Sequence, residues 1–360
     1  MTGRPGTGVG TGGARVVVVG AGVTGLLTAV ECVLAGHRVT VLDRGAIPDP
    51  AATSHDQHRT LRTLAVGDVE ATRRMGAAHR RWLELEPVLG AGCYRQVGVV
   101  TAWPRERLAE VTRFAAAAGV PVETVGPGTL PQLGFPAGTA GVRESRAGVL
   151  LAGRVLRAAA RWLAARPAAA LRPYSPVAAV DADAGKVTLA GGEVVGGDVV
   201  LVAAGPWTRE LVDLPAVLHR QTMVYLRPGR GQARRWRHAP AVGGLGADGR
   251  AWVVPPVAGT LLKVSSDAVC REAADTDAGA EDQAPWAERL ADAGILRDPA
   301  GYQVVAVRAC HYTTDTAAGG ARLARMSPAV WARTACGGSG FASAPLVAAT
   351  LAAAAKEAAI

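Results

Sequence analysis

The stretch that decides the fold is VVVVGAGVTG at residues 16–25, where an apolar run passes directly into a glycine pattern. Consecutive valines are typical of a short buried strand. An apolar helix is predicted over about 24–35 and ends at Gly36, and RVTVL at 38–42 indicates a second strand. Strand, helix and strand in this order predict a parallel sheet.

The glycines of this stretch have the spacing GxGxxG between a strand and a helix. The first permits a tight turn, the second lets a pyrophosphate approach the backbone, and the third lets helix and strand pack closely. A carboxylate at the end of the second strand can accept from a ribose hydroxyl, which disfavours NADP but does not separate NAD from FAD. We assign to this dinucleotide site Gly20, Gly22, Val23, Thr24, Gly25, Asp43 and Arg44.

Length and composition indicate a globular protein of about two domains. The 360 residues are 49% hydrophobic and 19% charged, with a formal net charge of +9. The one dense basic stretch, 227–238, could bind nucleic acid, but a solvated arginine-rich loop is the favoured interpretation. We therefore expect no nucleic-acid partner, and a positive protein suits an anionic cofactor or substrate.

The five cysteines show no CxxC spacing, so neither a disulfide framework nor a metal site is expected. A reducing compartment, the cytoplasm, fits this cysteine usage. No apolar run is long enough to span a membrane, so no membrane association is expected either.

Further elements follow from periodicity and glycine punctuation. The first 13 residues are predicted to be disordered, 272–282 to be a loop, and the last helix to begin at about Ala344. Helices are predicted at 69–86, 105–118 and 154–166, and strands within 177–202, 219–226 and 251–265.

Three later segments carry a resemblance to a known family. The buried strand and glycine turn VVLVAAGPW at 199–207 resemble the second flavin-proximal strand of the D-amino acid oxidase superfamily. The segment SHDQHRTLR at 54–62 resembles the His-x-x-x-Arg-x-x-Arg segment of monomeric sarcosine oxidase and N-methyltryptophan oxidase, and CHYT at 310–313 resembles their Cys-x-Tyr-Thr. The order of the segments matches from about 14 to 358, which selects FAD as the cofactor.

The resemblance implies an α/β fold, with a Rossmann-like FAD domain on a parallel sheet and an α+β substrate domain on a mainly antiparallel sheet. The FAD domain would comprise 14–62, 150–215 and 305–360, and the substrate domain 63–149 and 216–304. A monomer or a small homo-oligomer is expected.

The resemblance also implies roles for single residues. Cys310 would bond to the flavin 8α carbon, Arg59 would lie against the flavin, Arg62 would bind a substrate carboxylate, and Lys263 would promote oxygen reduction. His55 and Tyr312 would line the substrate site. The remaining cofactor contacts would be Val177, Gly205, Trp207, Gly338, Ser339, Gly340 and Phe341.

Taken without the resemblance, each of these residues has a plainer interpretation. The arginines could form an exposed pair on one helix face, and the cysteine could be a small buried apolar residue. The histidine could lie at the surface, the lysine on an edge strand, and the glycine turn at 337–341 could merely lead into a helix.

Three positions depart from the family pattern. Ala342 stands where the second carboxylate-binding lysine is expected, Asp267 where a histidine is expected, and Trp252 where a tyrosine is expected. Half of the carboxylate clamp is therefore missing, and an acid has been added to the site. These changes favour a larger or cyclic amine, with a second cationic group near Asp267, over N-methylglycine.

The predicted function is a flavin amine oxidase that removes a hydride from the carbon next to nitrogen and is reoxidised by O2, giving an imine and H2O2. One alternative is an NAD(P)H-dependent hydroxylase, although the Asp-Gly pair expected near the second flavin strand is replaced by Gly205-Pro206-Trp207. The other alternative is a non-catalytic flavin-binding protein.

Overall fold

The computed structural model describes residues 13–277, 281–317 and 320–360. The tail predicted to be disordered lies outside the described residues except for Gly13, and so does part of the predicted loop 272–282. The α-helices are α1 Val23–Leu34, α2 Val69–Leu89, α3 Leu108–Ala117, α4 Ala152–Ala164, α5 Thr208–Leu211, α6 Arg230–Trp236, α7 Ala284–Asp292 and α8 Gly340–Ala358. The strands are β1 Arg15–Val19, β2 Arg38–Leu42, β3 Arg59–Leu61, β4 Tyr94–Arg95, β5 Val99–Pro104, β6 Val122–Val125, β7 Thr139–Glu144, β8 Gly148–Leu150, β9 Ala169–Arg172, β10 Val177–Asp181, β11 Lys186–Leu189, β12 Val194–Gly196, β13 Val199–Val202, β14 Ala216–Pro228, β15 Ala241–Leu245, β16 Ala251–Val254, β17 Leu262–Ser266, β18 Cys270–Glu272, β19 Tyr302–Asp315, β20 Ala321–Arg325 and β21 Val330–Cys336.

The first sheet has six strands in the order β20-β21-β13-β1-β2-β9. Five of them run parallel, and β20 is antiparallel to β21. The valines of β1 are buried on both faces of the sheet, as expected for a central parallel strand. The predicted parallel sheet is confirmed.

Both faces of this sheet are covered. Helices α1, α2, α4 and α8 contribute to the core on one face, where Trp82 and Phe341 pack with α1. The other face packs against the small antiparallel sheet β10-β11-β12 and the end of α5. The carboxyl ends of the parallel strands remain at one edge of the sheet, where ligands bind in such folds.

The second sheet has nine strands. Its main path is β18-β14-β17-β16-β15-β5-β7-β6, and the long strand β19 pairs with β14. The strand pairs are antiparallel except for β15 with β5. The mainly antiparallel second sheet is therefore also confirmed.

Several elements differ in extent from their predictions. The stretch 251–265 forms two strands, β16 and β17, because prolines at 255–256 and a left-handed turn at Ala258 and Gly259 interrupt the pairing. Helix α8 begins at Gly340 rather than near Ala344, and Ser339 separates it from the positive-φ glycines Gly337 and Gly338. The segment containing Arg59 forms strand β3 and pairs with β8, so the alternative of an arginine pair on one helix face is wrong.

The proposed domain boundaries stay a prediction. Strand β19 crosses the boundary placed at 305, and helix α2, placed in the substrate domain, packs with α8 on the first sheet. Among the described residues, no helix is both long enough and apolar enough to cross a membrane.

Candidate flavin and substrate site

The turn between β1 and α1 requires glycine at two positions. Gly20 has φ +100°, and a Cβ there would lie 2.4 Å from the carbonyl oxygen of Ala203. A Cβ on Gly25 would lie 1.9 Å from the carbonyl oxygen of Gly20, closer than real Cβ atoms come to another atom. The tight turn and the close helix–strand packing predicted from GxGxxG are both present.

Some of the polar groups around this turn already form hydrogen bonds within the protein. Asp43 accepts from the backbone N–H of Ala21 at 2.7 Å and of Gly45 at 2.8 Å, which leaves a second lone pair on each carboxylate oxygen. The N–H of Val23 donates to Ser54 Oγ at 3.0 Å. Ser54 was not assigned from the sequence, and it occupies one of the helix-terminal donors expected to face a pyrophosphate.

One large cavity of about 1360 Å³ extends from this turn across the edge of the first sheet to the face of the second. It exceeds the volume of a typical single-ligand site and has room for a dinucleotide together with a small substrate. Gly25 does not line it, since its role is packing. The predicted residues that line it are Gly20, Gly22, Val23, Thr24, Asp43, Arg44, Arg59, Arg62, Val177, Gly205, Trp207, Trp252, Lys263, Asp267, Cys310, Tyr312, Gly338, Ser339, Gly340 and Phe341.

His55 lies apart from this group. It lines a smaller cavity of about 250 Å³, which shares Arg44, Arg59 and Cys310 with the larger one. Its Nδ1 is buried without a hydrogen-bond partner among the described residues. A role beside the flavin stays a prediction for this histidine.

Lys263 is the most deeply buried of the expected catalytic residues. It lies in β17 between β14 and β16 and is 1% exposed, so the interpretation as an edge-strand surface lysine is wrong. Its Nζ donates to Asp56 Oδ2 at 2.8 Å and to the carbonyl oxygen of His58 at 2.7 Å. Burial lowers the pKa of Lys263, while the carboxylate of Asp56 opposes this shift.

Asp56 connects the residues around Lys263. Besides the lysine, its carboxylate accepts from the guanidinium of Arg59, from the hydroxyl of Tyr225 at 2.9 Å and from the N–H of Gln57 at 2.6 Å. Burial disfavours the charged carboxylate, but Lys263 and Arg59 outweigh it and hold the pKa of Asp56 well below its usual range. Asp56 is therefore a buried anion.

Asp56 and its neighbours were missed in the sequence. Asp56 stands inside the segment 54–62, so an acid between the two motif residues His55 and Arg59 was an available signal. Tyr225 is 169 residues away in the chain, and nothing in the sequence joins it to Asp56.

Cys310 lies in β19 beside Arg59. The guanidinium of Arg59 is 3.8 Å from the sulfur and also donates to the carbonyl oxygen of Thr53 at 2.7 Å. Burial raises the pKa of the Cys310 thiol, although the positive charges of Arg59 and Lys263 act in the other direction. The thiol is thus protonated at neutral pH, with two cations placed where they would stabilise a thiolate.

Two arginines that could bind a carboxylate line the cavity, the predicted Arg62 and also Arg333. Arg62 is exposed, follows β3, and reaches Thr101 Oγ1 at 3.5 Å. Arg333 on β21 also lines the cavity, and within the described residues it has neither a hydrogen bond nor an ion pair. Burial lowers the pKa of Arg333. No motif pointed to Arg333.

The three remaining substrate-site residues line other parts of the cavity wall. The hydroxyl of Tyr312 lies 3.2 Å from Cys270 Sγ, and its ring stacks on His219 at 5.2 Å between centroids. The ring centroid of Trp252 is 5.6 Å from Lys263 Nζ. Asp267 is held through its backbone, whose carbonyl oxygen accepts from Arg250 at 3.1 Å, so its exposed carboxylate is available to a ligand.

The glycine turn before α8 presents the start of that helix to the cavity. Gly337 and Gly338 have φ values of +58° and +72°, and Ser339 and Gly340 follow at the cavity wall. Phe341 is 7% exposed and stacks on Trp82, which directs its ring mainly into the core. The helix N-terminus has unpaired N–H groups that suit partial negative charge.

Comparisons with known proteins identify the family of the chain and its fold. Residues 15–354 match the model of the family described as FAD dependent oxidoreductase. Peroxisomal sarcosine oxidase of Mus musculus is 25% identical over 230 residues, and the aligned part covers 59% of this chain and 56% of that protein. The chain thus spans little more than half the length of this curated relative.

Solved structures share the fold. NikD, described as an unusual amino acid oxidase essential for nikkomycin biosynthesis, has a TM-score of 0.78 at 19% identity and covers 96% of this chain and 94% of its own. Fructosyl amine: oxygen oxidoreductase (Amadoriase I) from Aspergillus fumigatus has a TM-score of 0.75 at 16% identity, covering 98% and 88%. At these identities the likeness establishes the fold alone.

Proposed function

Because this chain belongs to the family of FAD dependent oxidoreductases, we propose that it is an oxidase of a secondary or cyclic, amino-acid-like amine. The observation that carries the proposal is that Cys310, Arg59 and Lys263 line the same cavity as the dinucleotide turn. Bound FAD would take a hydride from the carbon next to nitrogen and pass two electrons to O2, giving an imine and H2O2.

The residues present fit FAD. Gly22 lies at the cavity wall, where a Cβ would be 3.2 Å from Ser54 Oγ. Without a side chain at this position, phosphate groups could approach the backbone at the α1 N-terminus beside Ser54. Asp43 retains lone pairs for ribose hydroxyls, and Val177, which lines the cavity, would contact the adenine ring through its backbone. The N-terminus of α8 would stabilise negative charge at the pyrimidine edge of the flavin.

Cys310 is the residue proposed to hold the flavin covalently through its 8α carbon. The guanidinium of Arg59 lies 3.8 Å from the sulfur and is fixed by Asp56. A positive charge is therefore next to the thiolate that forms when the thiol ionises. A tether of this kind holds the cofactor and makes it a better oxidant.

The substrate would bind between the flavin and the second sheet. Arg62 and Arg333 would offer guanidinium groups to anionic parts of a larger substrate, while Ala342 leaves the clamp for a small carboxylate incomplete. Asp267 would accept a second cationic group of the substrate, and Tyr312 and Trp252 would enclose its apolar part. Binding in this manner would orient the reacting carbon and exclude water from it.

Anaerobic mixing of the purified holoprotein with a panel of amines tests the function. The panel contains N-methyl amino acids, cyclic amino acids and diamino acids, and flavin absorbance is followed. We expect at least one cyclic or diamino compound to bleach the flavin, and stoichiometric H2O2 to appear when air is admitted.

Two results would contradict the proposal. Oxygen consumption that depends on NADH or NADPH would identify a hydroxylase. A flavin that no amine on the panel reduces, although dithionite does, would favour a binding protein.

A further inference from the structure

We propose that Asp56 is a positioning residue that keeps the amino group of Lys263 charged and aimed into the large cavity. This inference rests on the proposed oxidase function, in which a fixed cation beside the flavin stabilises superoxide as it forms. It concerns a residue outside the set that the sequence motifs identified.

The hydrogen bonds of the lysine carry the argument. An ammonium group has three N–H donors. Two of them are fixed, one by Asp56 Oδ2 at 2.8 Å and one by the carbonyl oxygen of His58 at 2.7 Å. Because Lys263 also lines the large cavity, the third donor is left for a group in that cavity. The two protein partners therefore determine where the remaining donor points.

The position of Asp56 is itself fixed from two strands. Tyr225 on β14 donates to Oδ1 at 2.9 Å, and Arg59 on β3 donates to Oδ2. Asp56 is 6% exposed, so water does not compete effectively for its oxygens. A carboxylate held in this manner cannot follow the lysine if the lysine moves.

The charges that face Lys263 show why the carboxylate is needed. Arg59 repels the ammonium, and burial disfavours its charge. His58 adds no charge at neutral pH, because burial lowers the pKa of His58 to about 3. Tyr225 and Cys310 are protonated, since burial raises the pKa of both. Asp56 is thus the anion beside Lys263 within the described part of the chain.

The charge state of Lys263 can be measured directly because the chain has three lysines, Lys186, Lys263 and Lys356. Holoprotein labelled with ¹³C at lysine Cε should give three resonances, and the one lost in Lys263→Met belongs to Lys263. The other two side chains are exposed and act as internal references. In the wild type we expect the Lys263 resonance to be that of a charged amine at pH 7, with a midpoint near 8, where burial places the pKa of Lys263.

In Asp56→Asn we expect the Lys263 midpoint to fall by about 1–3 pH units, while the two references stay unchanged. Tyr225→Phe is the matched control, since it removes a hydrogen bond from the same carboxylate but retains the charge. An unchanged midpoint in Asp56→Asn, or an equal fall in Tyr225→Phe, would overturn the inference. If Asp56→Asn does not fold, a neutral Lys263 in the wild type at pH 7 would overturn it equally.

Reoxidation provides the second readout and needs no amine substrate. Holoprotein reduced with dithionite is mixed with O2, and the rate is measured from pH 6 to 10. The wild-type rate should fall as the pH rises through about 8, and in Asp56→Asn the fall should lie at lower pH. Slow reoxidation of the wild type at every pH would instead contradict the oxidase function, while the lysine titration would still test Asp56.

Discussion

The indole nitrogen of Trp82 in α2 donates to the carbonyl oxygen of Ala342 in α8 at 2.9 Å, across 260 residues of sequence. Trp82 is 2% exposed, and its ring stacks on Phe341 at 5.7 Å between centroids. The contact fixes the first turn of α8, whose N-terminus faces the large cavity. A residue far from the flavin motifs therefore determines the position of the glycine turn at the site.

Replacing Trp82 with Phe should lower the free energy of unfolding by about 1–3 kcal/mol, because a buried hydrogen bond and some packing are lost. Trp331→Phe is the matched control. The indole nitrogen of Trp331 is buried and has no partner among the described residues, so its removal should cost less. Urea unfolding of both variants measures the difference, and equal losses would show that the hydrogen bond contributes nothing.

Gly25→Ala should destabilise the holoprotein by about 3 kcal/mol or more and reduce its flavin content, because the new Cβ would overlap the carbonyl oxygen of Gly20. Gly128→Ala should change stability by less than about 0.5 kcal/mol, since its Cβ would meet nothing within 4 Å. Thermal unfolding measures the stability. The ratio of the absorbance of the flavin at about 450 nm to that of the protein at about 280 nm measures the flavin content. Normal flavin content in Gly25→Ala would count against tight packing at this turn.

A covalent bond between Cys310 and the flavin predicts that the flavin stays with the precipitated protein after acid denaturation. The wild-type pellet should be yellow, and Cys310→Ala should release its flavin into the supernatant. Cys336→Ala is the control, because Cys336 also lines the cavity but is not part of the Cys-x-Tyr-Thr segment. A colourless wild-type pellet would mean that Cys310 is only a residue of the cavity wall.

Sarcosine should be a poor substrate, with turnover far below about 10 per second, because one half of the carboxylate clamp is Ala342. Ala342→Lys should raise kcat/KM for sarcosine by about tenfold, as a second charge-assisted hydrogen bond is restored. Ala342→Met adds similar bulk without the charge and should give no gain. Peroxide formation measures all three, and turnover of sarcosine by the wild type near 10 per second would exclude a requirement for a larger amine.

The buried carboxylate predicts a dependence of stability on pH. Since the pKa of Asp56 is held below its unfolded value of about 3.9, its contribution is present above that pH and is lost as the pH falls further. Asp56→Asn should therefore lower the free energy of unfolding by about 3–5 kcal/mol at pH 7. The difference in this free energy between the variant and the wild type should become smaller below about pH 4. Asp183→Asn, at an exposed position, should show little change at either pH. A gap that stays constant down to pH 3 would rule out this linkage.

The sequence by itself determined the parallel sheet and the dinucleotide turn. Their signals are local, since four valines, three spaced glycines and an acid at a strand end each constrain the backbone within a few residues. The strands of the antiparallel sheets could likewise be located, from the alternation of apolar and polar residues and from the glycines of the turns between them. The limits of α8 and the division of 251–265 were less accurate, because glycine and proline signals indicate a break without fixing which residue begins the next element.

Only the tertiary structure decided how the charged side chains are paired. Asp56, Lys263 and Tyr225 meet although 169 residues separate the tyrosine from the aspartate and 207 separate the lysine from it. Likewise, His55 lines the smaller cavity while Cys310 and Arg59 line both. Ion pairs and burial depend on the distances between strands of different segments, and neither spacing nor composition encodes those distances. The sequence therefore identified the chemical groups of the site, and the packing of two sheets determined which of them act together.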